Sequence, residues 1–375
     1  MKLTADVLQD LSDGSVFLAT GGGGDPYVSL LATQKVLQES GPADLISVND
    51  LDDDAYVVAI GGVGAPTVSL ELLPSVDDAA MALEAFEHHV GRRVDAVVSF
   101  EIGGGNSLIP IIAAARCGIP VIDGDGMGRA LPEAQMMTYA IAGVAPTPAV
   151  GVDYAGNVVT FTADTTETYE RHVRAMAQAM GGMITTVEHP MTGKQLKSSI
   201  VPSTLTFSLE IGRILRAHRG NAHRILASLG AAFNRSIYGE LCHLFTGKVV
   251  DCASAIVGGF DVGEAVIEPF EGGGPKLRLT IKNEFLVARV EGQVIASVPD
   301  LITVLDYETS MPINAERLRY GQRVTVVGVG CPAYYRSDVA LGVVAPRCFG
   351  FDYPYVPIEH LKVHHQPPFE ALLPG

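Results

Sequence analysis

Two hydrophobic rhythms alternate along the first half of the chain. Thr4 can cap a helix carrying Val7, Leu8 and Leu11, and residues 15–20 form a short apolar run that ends in Gly21-Gly22-Gly23-Gly24. Residues 28–38, with Leu30, Leu31 and Leu37 at helical spacing, predict a helix. Residues 45–48 and 56–60 predict buried strands, residues 76–90 a helix, 96–100 a strand, 108–117 a helix and 119–122 a strand. Strands alternating with helices predict an α/β domain with a mostly parallel sheet covered on both faces, over residues 1–165.

The rhythm then changes twice. After a β-like run at 157–163, Tyr169, Val173, Met176 and Met180 follow helical spacing, and Gly181-Gly182 ends that helix. Ser203 can cap a helix over 205–218, with another after Asn221, so residues 166–239 predict a helical connector. From residue 240 short apolar runs recur with turns between them, at 248–250, 265–267, 277–281, 285–288, 294–296, 323–329 and 339–344. That spacing predicts a β-rich barrel or sandwich over 240–375, with an extended proline-rich tail.

Composition narrows the function classes. A chain of 375 residues, 47% hydrophobic and 18% charged, suits two globular domains. A net charge of −16 argues against non-specific nucleic-acid binding and against docking on anionic lipid, both of which need surplus Lys and Arg. Cys117, Cys242, Cys252, Cys331 and Cys348 are widely spaced, so neither a disulfide framework nor a cysteine zinc site is expected. No signal peptide is visible, and the most apolar stretch, 107–122, is broken by Pro110, Arg116 and Pro120. A cytoplasmic protein with no membrane span is expected. The apolar content leaves surface to cover, so a homo-oligomer is expected as well.

Glycine-rich segments at the expected strand ends carry the candidate chemistry, because loops at those ends form the binding crevice of a parallel sheet. The segments are 21–25, 61–66, 101–106 and 123–129. Gly22, Gly23, Gly62, Gly64 and Gly104 allow a ligand close to the backbone, and Asp25 and Asn106 can bind its polar edge. Tight turns alone explain one such loop better than all of them together. None matches the phosphate-binding patterns, so a nucleotide is the weaker ligand. Asp123 and Asp125, at i and i+2, can share a proton or a divalent cation, and Glu101 from another strand end can face them. Such a cluster suits general acid–base catalysis, the alternative being a pair of capping residues. Arg129 can neutralise the cluster or hold a substrate carbonyl. His88, His89, His172 and His189 read as structural or solvated, and Cys331 as structural.

The segments ATGGGGDPY (19–27), IGGVGAPTV (60–68), EIGGGNSLIP (101–110) and VIDGDGMGRALPEAQMMT (121–138) resemble the S-methyl thiohydantoin desulfurase-like family. LFTGKVVD (244–251), GFDVGEAVI (259–267) and PRCFGFDYPYVPIE (346–359) resemble it too. The resemblance implies an N-terminal α/β domain, a C-terminal β-rich domain and a small cyclic ureide-like substrate that loses methanethiol by hydrolysis. In that reading Asp123, Asp125 or Glu101 activates water, with a divalent metal on Asp123 and Asp125 as an option. Two other expectations stay open. One is an accessory or ligand-binding subunit for a hydantoinase/oxoprolinase-type partner. The other is a nucleotide-using enzyme.

Overall fold

A computed structural model describes residues 1–70 and 75–361. The first sheet is built from β1 (Lys2–Leu3), β2 (Ala43–Ile46), β3 (Tyr56–Gly64), β4 (Ala96–Ser99), β5 (Val121–Asp125), β6 (Ala149–Val152), β7 (Val158–Phe161), β8 (Met183–Thr192) and β9 (Val201–Pro202). Their order is β1-β2-β5-β4-β3-β8-β6-β7, with β9 beside β5. The centre, β2-β5-β4-β3, is parallel, and the strands added at both sides are antiparallel. Every residue of β4 is buried, as expected of a strand covered on both faces.

Helices flank this sheet and run from it to the second domain. They are α1 (Leu8–Leu18), α2 (Tyr27–Ser40), α3 (Asp78–Val90), α4 (Ile109–Cys117), α5 (Thr138–Ile141), α6 (Thr166–Ala179), α7 (Gly193–Ser199), α8 (Thr204–Ala217) and α9 (Ala222–Phe233). α4 lies on β2, β3, β4 and β5, while α6 packs on β3, β7 and β8. The apolar run at 15–20 is not a separate element. It continues α1, because Leu8, Leu11, Phe17 and Leu18 fall on one buried helical set. The first glycine segment therefore follows a helix.

Residues 166–239 hold helices as expected, but also β8 and β9. β8 was not legible because Glu188, His189 and Pro190 interrupt it. A bulge accommodates them: Val57 pairs with Met191 and Ala59 with Glu188, so His189 and Pro190 together oppose Val58. His189 there takes a left-handed conformation, φ +47.

The second sheet is antiparallel. It contains β10 (Leu241–Val257), β11 (Phe260–Glu268), β12 (Leu277–Lys282), β13 (Glu284–Val290), β14 (Gln293–Ser297), β15 (Leu301–Asp306) and β16 (Arg323–Val329), in the order β14-β13-β12-β11-β10-β16-β15. β13 and β14 also touch β15, so the sheet curls into a half-barrel. Its concave side has its own core, including Val249, Leu279, Phe285 and Val326. Leu286, Val287, Leu301 and Val327 belong instead to the core of the α/β domain. The strand expected at 339–344 is a helix, α10 (Asp338–Val344). Ser337 caps it, and Ala340 and Val344 are buried four residues apart, which is the helical repeat. Among the described residues, no helix is long and apolar enough to cross a membrane.

Candidate active site

The ends of β3, β4 and β5 converge with the Gly21–Gly24 segment on a cavity of about 150 Å³. A cavity of roughly that volume holds a molecule the size of benzene. Val28, Ala32, Ile109, Ile112, Val173 and Ile184 give it apolar walls. Glu101, Asn106 and Glu284 stand among them.

Glu101 leaves the end of β4 with its backbone fixed. The Ser99 hydroxyl donates to the Glu101 carbonyl at 2.6 Å and to the Asn106 carbonyl at 3.0 Å. The side chain turns inward. Its Oε1 accepts from Asn106 Nδ2 at 2.7 Å, and its Oε2 from the Leu131 N–H at 3.2 Å. Asn106 Oδ1 accepts the Gly62 N–H at 2.7 Å, so a β3 loop and a β4 loop close on one carboxyl–amide unit. Burial pushes the Glu101 carboxyl up to about 8, against the Asn106 and Leu131 donors, and nearby Asp125 adds to the rise. Glu284, at the start of β13, is 2% exposed. Burial and then the Glu101 charge hold its carboxyl well above the usual range.

Of the residues expected at the site, Gly23, Asp25, Gly62, Gly64, Glu101 and Asn106 line the cavity. Gly22 lies against Glu284 behind it. Gly23 and Gly104 serve the contact between two loops. A Cβ on Gly23 would sit 2.3 Å from the Gly103 carbonyl, and one on Gly104 2.1 Å from the Gly24 oxygen. Asp25 accepts the Tyr27 N–H at 2.8 Å at the start of α2 and pairs with Arg317.

Asp123 and Asp125 do not converge. Asp123 holds the first turn of α8: its Oδ1 accepts the Thr206 N–H at 3.1 Å, and it also takes the Thr206 hydroxyl. Asp125 is fully buried and organises the loops behind the cavity. Its Oδ2 accepts from the N–H groups of Ile102 (2.9 Å), Met127 (2.9 Å) and Gly128 (2.7 Å). Burial raises it to about 7, although Thr204 and these donors pull it down. Among the described residues, no group of three or more His, Cys, Asp and Glu side chains is arranged to hold a metal.

Arg129 does not reach the cavity either. It is fully buried between the domains and donates to the carbonyls of Ala130 (2.9 Å), Pro299 (2.8 Å) and Asp300 (2.9 Å) and to the Thr20 hydroxyl (2.8 Å). It is a clamp that joins two glycine segments to the β14–β15 turn.

Sequence reasoning missed Glu284, Glu188 and the Glu170–Arg174 pair. Glu284 follows Lys282-Asn283 between two short strands, a context that reads as a solvated turn. Glu170 and Arg174 face each other one helical turn apart at 2.8 Å, both buried. Arg174 also donates to the carbonyls of Pro132 (2.8 Å), Gly64 (3.2 Å) and Gly259 (3.4 Å), so that with the Glu170 contacts all its donors are engaged. His189, fully buried, has Nδ1 3.1 Å from Glu188 Oε1, behind the cavity wall.

A crystal structure of a protein from Chromobacterium violaceum has the same fold. Its TM-score is 0.82 over 96% of this chain and 100% of that one, at 23% sequence identity. No curated protein sequence matches the chain. Residues 6–163 match the S-Me-THD-like N-terminal domain and residues 163–358 the S-Me-THD-like C-terminal domain. With both domains in sequence and nearly the whole length matched, the chain belongs to the S-Me-THD-like family.

Proposed function

We propose that the protein hydrolyses an S-methyl thiohydantoin or a closely related small cyclic ureide, releasing methanethiol. One observation carries this reading: an apolar, ring-sized cavity with a buried carboxyl, Glu101, held in place by Asn106 at one wall. The family supports the ring chemistry.

The ring carbon that bears the methylthio group is amidine-like and electrophilic. Water attacks it while ionised Glu101 takes one of the water's protons. The C–S bond then breaks, its electron pair leaves with sulfur, and the ring carbon becomes a carbonyl. Asn106 and the Leu131 N–H favour the ionised form of Glu101 and fix its direction. The apolar walls keep bulk water away and raise the basicity of the carboxylate.

A nucleotide fits this cavity poorly. Its described lining carries seven carboxyls, Asp25, Asp78, Glu101, Glu133, Glu170, Glu188 and Glu284, against one cation, Arg174, whose donors are already engaged. A phosphate would find no free cation in that described lining, and the carboxyls that are ionised would repel it.

The test is methanethiol release from purified protein given an S-methyl thiohydantoin. Release that persists in EDTA and drops in Glu101→Gln is the expected result. Folded protein that releases none would overturn the assignment.

A further inference from the structure

The reaction above leaves one proton without a donor, the one methanethiolate needs on departure. We propose that Glu284, from the second domain, delivers it, so that the active site is completed only where the two domains meet. This inference rests on the hydrolytic reading.

Glu284 lines the cavity, and three features fix the backbone on either side of it. Asn283, just before it, holds a left-handed conformation, φ +59. A reciprocal pair of bonds holds that conformation. The Asn283 N–H donates to the Asp261 carbonyl at 2.7 Å, and Asn283 Oδ1 accepts the Asp261 N–H at 2.8 Å. On the other side, the Phe285 N–H donates to the Thr20 carbonyl at 2.7 Å, pinning β13 to the first glycine segment.

Space has been left for the side chain. A Cβ on Gly22 would stand 2.2 Å from Glu284 Oε1, so any other residue there would push the carboxyl out of position. Glu284 Oε2 is buried with no hydrogen-bond partner. A buried carboxyl oxygen without a partner is costly when charged. The neutral acid is therefore the stable form, and its proton is free for a ligand. Glu101, by contrast, has donors that favour its ionised form. Two neighbouring carboxyls in different environments divide into acid and base.

The protons balance. Glu101 takes one from the attacking water, and Glu284 gives its own to sulfur as the C–S bond breaks. The remaining hydroxyl proton on the ring carbon passes to Glu284 as the carbonyl forms. Glu101 passes its proton to the ring nitrogen. The products are methanethiol and the hydantoin, and both carboxyls return to their starting states.

Leaving-group dependence tests the role. Methanethiolate needs a proton, whereas a trifluoroethyl thiolate, being less basic, departs with little help. Glu284→Gln should lose about 100-fold or more in kcat on the methylthio substrate, within the usual range for removing a general acid. It should lose less than about tenfold on the trifluoroethylthio analogue. Equal losses on both would overturn the proposal. A second measurement does not depend on turnover. Difference infrared spectra at pH 9, where Glu101 is ionised, should show a carboxylic acid C=O band that shifts when hydantoin binds and is absent in Glu284→Gln. A wild-type protein without that band, or with one that ignores the ligand, overturns the role. An inactive wild type that still shows the shifting band would mean that the choice of substrate has failed, not Glu284.

Discussion

Glu101→Gln keeps the shape of the side chain and removes the base. It should cost about 10²–10⁴ in kcat and about 1–3 kcal/mol in stability, since one of the two N–H donors that Glu101 accepts then faces an amide NH2, with the protein still folded. In the wild type, kcat should rise as pH rises through about 8, because the base works only when ionised and burial holds it protonated below that value. A flat profile from pH 6 to 9 would remove Glu101 from this role. The two aspartates separate differently. Asp125→Ala leaves the N–H groups of Ile102, Met127 and Gly128 buried without an acceptor, a loss of about 3 kcal/mol or more, seen in denaturant unfolding. Asp123→Ala removes only an end contact of α8 and should cost about 1 kcal/mol. In the sequence these two residues look equivalent. The chain pattern shows two acids two apart and a glycine between them, but not which N–H groups will lie within reach.

At the scale of elements, hydrophobic periodicity located most of what builds the site. β3, β4, α3 and α4 fall where the apolar runs place them, and Glu101 and Asn106 could be read from their place after β4. What escaped notice depends on contacts distant in sequence. Glu284 gains its meaning from Thr20 and Gly22, more than 250 residues earlier, and no local pattern records that. The glycine segments were conspicuous for a partly different reason from the one expected. Several of them let backbone meet backbone instead of ligand. Gly104→Ala is the corresponding test. At φ +45, with a Cβ 2.1 Å from the Gly24 oxygen, it should destabilise the protein by about 2 kcal/mol or more and weaken activity by displacing Asn106. Activity and thermal midpoint should fall together; a variant of wild-type stability would show that the loops can slide apart without cost.

For the whole molecule, the buried acids make folding a proton-binding event. Burial raises Glu101 and Glu316 to about 8 and Asp125 to about 7, above their values in an unfolded chain. Between roughly pH 4.5 and 8 the native state therefore holds more protons than the unfolded state, and stability falls as pH rises across that window. Self-repulsion of a net charge of −16 acts in the same direction. Denaturant midpoints should be higher at pH 5.5 than at pH 8. The opposite order would mean that these acids are ionised in the native protein.

The order of strands in the first sheet also decides how the gene can be cut. β8 begins at Met183, beyond the junction of the two matched domains near residue 163, yet it lies between β3 and β6. A fragment ending at that junction would present the open edges of β3, nine residues long, and of the shorter β6, both apolar, to any neighbouring copy. Exposed edges of that kind template intermolecular sheets. Such a fragment should be recovered in inclusion bodies, and a library that shuffles the two matched halves between relatives should yield soluble protein only when the crossover lies beyond β9.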